Sequence, residues 1–374
     1  MKTPRIEKSL FGHMPDGREV ASYTLFDEKG QSIVLTEYAC AIVEINVLDK
    51  DGKLRDVALG YDHLEDYLAD TRSFGAIIGR YANRIAKGMF TLNGVTYHLA
   101  RNDGENSLHG GIQSFKKKLF SSEVKDGAVV FTYTSPDLEE GYPGNFTLKE
   151  TASFSGGVFR MQFDYVCDKD TVANITNHNY FNLNGHGHGT ILNHKVMIHA
   201  DRFCRGDDGL LAQAPAVPVD GTPFDLRKPK TILEGLSSYS QDIIGARGGY
   251  DHCFEIANHD GPDAAVVGDE SGIRLEVYSD MPALQFYTGN MLGGHVRGKK
   301  GAFYNTFEGF ALESQQFPNA VNEPRFPSAV IKANEPASAF IEYRFGQTSQ
   351  RHAGSVSAGD GARMRPLVAG LTHS

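Results

Sequence analysis

A histidine set among asparagines is where this chain first reads as chemistry: Thr176-Asn177-His178-Asn179-Tyr180-Phe181-Asn182-Leu183-Asn184-Gly185. Asparagine makes a poor core strand and a poor helix, so four of them here ask for another reason. An amide donates and accepts at once, which suits a polyhydroxylated ligand. A histidine among amides can move a proton near neutral pH. Four other stretches crowd polar groups where strands should be apolar. Gly79-Arg80-Tyr81-Ala82-Asn83-Arg84-Ile85 offers two planar guanidinium donors and an amide. Asn106-Ser107-Leu108-His109-Gly110-Gly111 sets His109 before paired glycines, which let a backbone come close to a ligand. Gly249-Tyr250-Asp251-His252-Cys253-Phe254 puts an acid beside a histidine. Glu313-Ser314-Gln315-Gln316-Phe317-Pro318-Asn319-Ala320 follows Phe310-Ala311-Leu312, so Glu313 ends a run that reads as a buried strand. A carboxylate there is costly unless paired or functional. Taken singly, each stretch also fits an ordinary surface turn or an inert Asp-His pair.

The elements that must position these groups read as strands. Val43, Ile45 and Val47 alternate with Glu44 and Asn46. Val129, Phe131 and Tyr133 repeat the pattern, as do Phe159, Met161, Phe163, Tyr165 and Cys167. Ile273, Leu275 and Val277, then Ile341, Tyr343 and Phe345, close the series. Period two over many short runs predicts half-buried antiparallel strands. The turns Asp51-Gly52, Asn93-Gly94, Asp126-Gly127 and Ser155-Gly156-Gly157 supply the positive φ angles that tight hairpins need. Only 63–69 and 236–243 read as short helices. From Gln347 to Ser374 the chain is Gly, Ser and Ala with scattered charge and no period, which predicts a disordered or appended tail.

Composition excludes several classes. Lys+Arg is 37 against Asp+Glu 46, a formal net charge of −9, which opposes nucleic-acid and membrane-surface partners. The one basic cluster, Lys116-Lys117-Lys118, reads as a solvated edge. Cys40, Cys167, Cys204 and Cys253 are far apart and match no metal spacing, so free thiols in a reducing compartment are expected. With no apolar h-region at the start and no membrane-length apolar run, the reading is a soluble, cytoplasmic protein. His186 and His188 have His-x-His spacing, and His194 and His199 follow, but nothing completes a zinc site. No phosphate-binding loop, dinucleotide pattern or nucleophile elbow appears.

Together the five stretches resemble the aldose 1-epimerase (galactose mutarotase) family. Gly79 to Gly88 is similar to its Gly-Arg-x-Ala-Asn-Arg-Ile-x-x-Gly, and Asn106 to Gly111 to its Asn-Ser-Leu-His-Gly-Gly. Thr176 to Leu183 is similar to Thr-Asn-His-Ser-Tyr-Phe-Asn-Leu, Gly249 to His252 to Gly-Tyr-Asp-His, and Gln285 to Asn290 to Gln-Phe-Tyr-Thr-Gly-Asn. Glu313-Ser314-Gln315 is similar to Glu-Thr-Gln, and Pro318 to Pro327 to the segment after it. The resemblance implies an all-β fold, a single large antiparallel β-sandwich (the galactose mutarotase-like supersandwich) with a few short helices, spanning residues 1–346. It implies an isomerase that interconverts the α and β anomers of a free aldohexose such as galactose or glucose, in galactose and hexose metabolism, with no cofactor and no metal. The partner is a monosaccharide, and the protein is expected as a monomer or homodimer. Glu313 is implied as proton acceptor and His178 as proton donor, with nearby carboxylates favouring the protonated histidine. Asn83, Arg84, His109, Tyr180, Asp251 and Gln285 are implied as substrate-binding, His109 at the ring oxygen. The fold must then bring His178 and Glu313 to opposite sides of one sugar ring.

Three departures touch sugar preference. Ser314 replaces Thr and Asn179 replaces Ser. After Gly111 many relatives carry an aspartate and a tryptophan, where this chain runs Ser114-Phe115-Lys116-Lys117-Lys118-Leu119-Phe120 and has no Trp. Alternatives are a hexose-6-phosphate 1-epimerase, with Arg80, Arg84 and Lys87 as the available cations, and a non-catalytic sugar-binding domain on the same scaffold. A glycoside hydrolase needs two carboxylates, and only one occupies a strong motif position.

Overall fold

Two-residue turns set the first level of the fold. Asn93-Gly94 joins the strands Met89–Leu92 and Val95–His98 with φ of 51° and 77°. Asp126-Gly127 does the same between Ser121–Lys125 and Ala128–Ser135 with φ of 50° and 77°. Positive φ at both positions matches the twist of the flanking strands, and Gly takes the second position without a Cβ penalty. The expected hairpins therefore form.

The computed structural model describes residues 5–348 except 239, 258, 294 and 295. Its three large sheets are antiparallel throughout. Five strands from Arg5–His13 to Leu54–Asp56 pair in chain order. A nine-stranded sheet has Phe146–Ser155, Val158–Cys167, Ala337–Gln347 and Ile273–Ser279 at its centre. A six-stranded sheet runs Tyr180–Phe181, Phe310–Gln315, Ala283–Tyr287, Asp251–Glu255, Arg202–Phe203, Val217–Pro218.

Alternation buries one face of each strand. Phe159, Met161, Phe163 and Tyr165 point inward while Arg160, Gln162 and Asp164 are more exposed. They join Phe181, Phe286, Phe310 and Leu312 of the six-stranded sheet in one apolar cluster, with Leu25, Ile33 and Ile45 of the first sheet. Each such side chain, fully buried, contributes roughly 1.5–3 kcal/mol. Sheets packed face to face across that core are a β-sandwich, as expected.

Two boundaries differ from expectation. The helix Leu64–Ala69 begins after His63, its N-cap. The helix expected over 236–243 is instead two single turns, Ile232–Leu236 and Gln241–Gly245. Thr231 and Glu234 form a capping box on the first, and Ser240 caps the second by accepting from the Ile243 N–H. Each cap fixes a start, so one helix cannot run through both. At the other end, Gln347 still pairs with Ile273, one residue past the expected boundary at 346. The remainder of the expected tail, 349–374, lies outside the described residues.

Candidate functional site

Parity places the first group of site residues. On the strand Phe310–Gln315 all six residues are buried. Phe310 and Leu312 face the apolar core, so Ala311, Glu313 and Gln315 face the other way. The strand thus continues past Glu313, which lies within it and does not end it as expected. Across the ladder Glu313 pairs with Gln285 and Ala311 with Tyr287. One strand further, Tyr287 pairs with Asp251 and Gln285 with Cys253. Asp251, Gln285, Tyr287 and Glu313 therefore share one face of three neighbouring strands. Gln285 Nε2 donates to Asp251 Oδ1 at 2.7 Å.

Turns build the wall above this floor. Asn83 and His109 both hold left-handed backbone, φ 61° and 52°. The His109 N–H donates to the Asn83 carbonyl at 3.0 Å, and the Asn83 N–H donates to His109 Nδ1 at 3.2 Å. Gly110 (φ 79°) lies so close to Gly79 that a Cβ there would collide with the Gly79 carbonyl oxygen. Gly110 thus serves backbone-to-backbone packing of two loops, and Gly111 makes room for the Glu140 side chain, where a ligand was the expected neighbour. Arg84 Nε donates to Asp103 Oδ2 at 2.7 Å.

His178 ends the short strand Thr176–His178, which pairs with Ala76–Ile78. Its Nε2 lies 3.6 Å from Glu313 Oε1. Its ring lies 5.2 Å from that of His109 and 4.9 Å from that of Tyr180, centroid to centroid. A polar pocket of about 200 Å³ collects the set, with Asn83, Arg84, His109, His178, Tyr180, Asp251 and Glu313 on its lining. Gln285 stands behind Asp251 and is not among the lining residues. Tyr287, Arg72, Ser73, Leu108, Lys116 and Met291 line the pocket too, and sequence reasoning missed them. Tyr287 had a signal, since it shares Gln285's parity two residues on.

Burial governs the electrostatics. Glu313 is held well above the usual carboxyl range by desolvation, with Asp251 adding to it and Arg84 opposing. Desolvation also raises Asp251. It lowers His178 to about 4, with Lys116 contributing, and pushes His109 well below an ordinary histidine. This corrects the expectation that neighbouring carboxylates keep His178 charged: the cost of burying an imidazolium wins. His178 Nδ1 and Glu313 Oε2 have no hydrogen-bond partner.

Several expectations give way to structural roles. Asn177 donates to the Gly75 carbonyl, Asn182 to those of Gly189 and Glu308, and Asn184 to Asp269. None of the asparagines around His178 lines the pocket; they satisfy buried groups of irregular backbone. Arg80 is buried and donates to the carbonyls of Ser135, Pro136, Pro143 and Gly144, so it offers nothing to a ligand. His252 accepts from the Asp251 N–H and packs on Phe224 in the core. The lysine cluster is no solvated edge. Lys117 Nζ donates to the carbonyls of Leu68 and Asp70, Lys118 pairs with Glu139, and Lys116 lines the pocket.

One histidine-carboxylate cluster has ligand-like spacing among the described residues: His109, His178 and Glu313 fall within 4.8 Å of one another. Its donor set does not fit a metal. His109 Nδ1 already accepts an N–H, so its neutral ring carries hydrogen on Nε2 and presents a donor to the pocket. His186 and His188 do not share a site: His186 sits against Tyr304 and His188 beside Glu270.

A β-sandwich that opens a polar pocket over an imidazole and a carboxylate in contact belongs to the acid–base enzymes, and the polar lining suits a hydroxyl-rich ligand. The model of the aldose 1-epimerase family matches residues 21–344. Galactose mutarotase of Sus scrofa is 40% identical over 332 residues, covering 88% of this chain and 95% of its own length. Aldose 1-epimerase of Escherichia coli K12 is 35% identical over 342 residues, covering 88% and 96%. The fold matches galactose 1-epimerase of Lactobacillus acidophilus with a TM-score of 0.80 at 24% identity, covering 92% and 99%. The chain belongs to the aldose 1-epimerase family. It is an isomerase that interconverts aldose anomers. Among the described residues no helix is long and apolar enough to cross a membrane.

Proposed function

We propose that this enzyme opens and recloses the ring of a free aldohexose such as galactose or glucose, with Glu313 as base and His178 as acid. The observation that carries the reading is the 3.6 Å approach of His178 Nε2 to Glu313 Oε1 inside a polar pocket. The two oxygens that exchange protons, the C1 hydroxyl and the ring oxygen O5, are bonded to the same carbon. An acid and a base standing side by side can serve both, so the 3.6 Å approach supports neighbouring groups over groups on opposite sides of the ring.

Glu313 takes the C1 hydroxyl proton while His178 protonates O5. The C1–O5 bond breaks, the aldehyde rotates about C1–C2, and closure on the other face returns both protons. Burial favours neutral imidazole and neutral carboxyl in the empty pocket. That state differs from the reactive imidazolium–carboxylate pair only by moving one proton between the two groups, so together they hold one proton. His109 Nε2–H faces the pocket as a donor for O5. Asn83, Arg84, Asp251 and Tyr180 supply groups for the remaining hydroxyls, and Gln285 holds Asp251.

Residues 1–346 act as one domain in this reading. The four cysteines are buried free thiols, which supports a reducing, cytoplasmic setting, and the acidic charge disfavours nucleic-acid and membrane partners. The expected assembly is a monomer or homodimer. Polarimetry on freshly dissolved α-galactose tests the chemistry. Loss of acceleration in both Glu313→Gln and His178→Asn, with the fold kept, is the expected result. Full activity in either would remove that residue from the mechanism.

A further inference from the structure

Two cations reach this pocket without a carboxylate of their own. Lys116 Nζ donates to Ser73 Oγ at 3.3 Å, and Arg72 Nη1 donates to the Leu292 carbonyl at 2.8 Å. Both residues are half-buried and line the cavity. Among the described residues neither enters an ion pair, whereas Arg84, the third cation on the wall, is held by Asp103. Asp70 is the acid nearest to hand, but its oxygens accept from the Tyr61 hydroxyl and from the N–H groups of Arg72, Ser73 and Phe74. Holding an ammonium out of water is costly unless something pairs with it. Lys117 bonds two carbonyls and Lys118 a carboxylate, whereas the Ser73 hydroxyl is the hydrogen-bond partner of Lys116.

Position gives the group a meaning. Lys116 stands on the histidine flank: its partner Ser73 is two residues from Gly75, whose N–H donates to the His178 carbonyl at 3.1 Å, and Lys116 lines the pocket with His109 and His178. Glu313 feels Asp251 and Arg84 instead. The ring oxygen has two carbon neighbours, C1 and C5. With the base at the C1 hydroxyl and the acid at O5, the far flank of the acid faces C5 and its substituent, C6. This placement rests on the acid–base assignment above.

We propose that Lys116, assisted by Arg72, binds an anionic oxygen group at C6 of the sugar, a carboxylate or a phosphate, so that the preferred substrate is a negatively charged hexose. Such an anion does two things at once. It forms a charge-assisted hydrogen bond with the ammonium. It also cancels the positive field that opposes protonation of His178, so the gain appears in kcat as well as in KM.

The test compares pure anomers of galactose, galacturonate and galactose 6-phosphate on the full chain, each rate read above the spontaneous one. The expected result is a kcat/KM about tenfold higher for at least one anionic sugar, equivalent to one charge-assisted contact. Which of the two wins tells carboxylate from phosphate. Lys116→Gln should erase most of that preference. A preference below about threefold overturns the proposal, as does one that survives Lys116→Gln. If the variant fails to fold, salt decides: the anionic preference must shrink as ionic strength rises, and a salt-independent preference overturns its cationic origin. Acceleration of galactose alone sinks this inference only, while acceleration of none sinks the acid–base reading with it.

Discussion

The floor and the wall of the pocket sit within one sugar's length of each other, yet they are fixed in different ways. The floor residues Asp251, Gln285, Tyr287 and Glu313 come from three paired strands. Their direction is set by register, and a slip of one residue would turn all four into the apolar core. The wall residues Asn83, Arg84, His109, Arg72 and Lys116 come from loops, a two-residue strand and a single 3₁₀ turn, two of them on left-handed backbone. Their positions depend on local hydrogen bonds and close backbone packing, which tolerate a new side chain more readily than a sheet tolerates a new register. The difference teaches a division of labour. The proposed proton acceptor is anchored where geometry is rigid, and the proposed contacts that choose the sugar lie where side chains are easier to revise. The lysine-rich departure from the family pattern falls on the wall.

The largest effect expected of that division is on the floor. Glu313→Gln keeps the shape and removes the proposed base, so mutarotation should fall by roughly 10²- to 10⁴-fold, measured by polarimetry, with circular dichroism unchanged. Turnover within tenfold of the parent would separate the floor from the chemistry. Arg80→Ala attacks the support of the wall instead. Three buried carbonyls and a fourth nearer the surface lose their donor, and urea unfolding should show a loss of about 3 kcal/mol or more. The pH profile of the folded fraction should not move; if it does, wall support and proton transfer are coupled.

Asp251→Asn leaves the carboxyl shape and the Gln285 contact but weakens the acceptor. About a tenfold rise in KM is expected, with a smaller change in kcat. The reverse split would make Asp251 part of the proton transfer. The pH profile of kcat/KM tests the pair itself. A second proton enters the pair as pH falls through about 4, where His178 titrates, and removes the base. The single shared proton leaves as pH rises through the elevated Glu313 value and removes the acid. The profile should be a bell with an acidic limb near 4; an acidic limb near 6.5 would mean that His178 is not desolvated.

The smallest effect concerns stability. Glu313 titrates higher folded than unfolded, so its contribution is fully present below the unfolded value and is lost as pH rises through the folded one. Glu313→Gln carries no such loss. Its melting temperature should exceed the parent's at neutral pH, with the gap narrowing toward pH about 4.3, the ordinary carboxyl value. A gap that does not change with pH would place the cost elsewhere.

The floor was legible in part. Phe310-Ala311-Leu312 read as a buried strand with Glu313 after it, but that the strand runs on to Gln315 and pairs with 283–287, which sets Gln285 and Tyr287 on the face of Glu313, depends on a register between distant segments. The hairpins at Asn93-Gly94 and Asp126-Gly127 were legible because few residues tolerate both positive φ angles. The wall was less so. Whether Gly110 opens toward a ligand or toward Gly79 depends on contacts thirty residues apart. Arg80 and Arg84 look equivalent in one motif, and only the carbonyls around the first and Asp103 beside the second divide them. Lys116 and its neighbours look alike in the chain and differ entirely in their partners. The protonation of His178 could not be inferred from a nearby carboxylate, because burial of both groups outweighs their attraction.

The contact between His178 and Glu313 has a consequence for how the enzyme recovers between turnovers. In the proposed mechanism each ring opening moves one proton onto the carboxylate and one off the imidazolium, and each reclosure undoes both. The product anomer therefore leaves a site in the same charge state that received the substrate. Nothing has to be exchanged with bulk water to re-arm the catalyst. The cycle needs no separate reset, and the same two groups serve it in either direction.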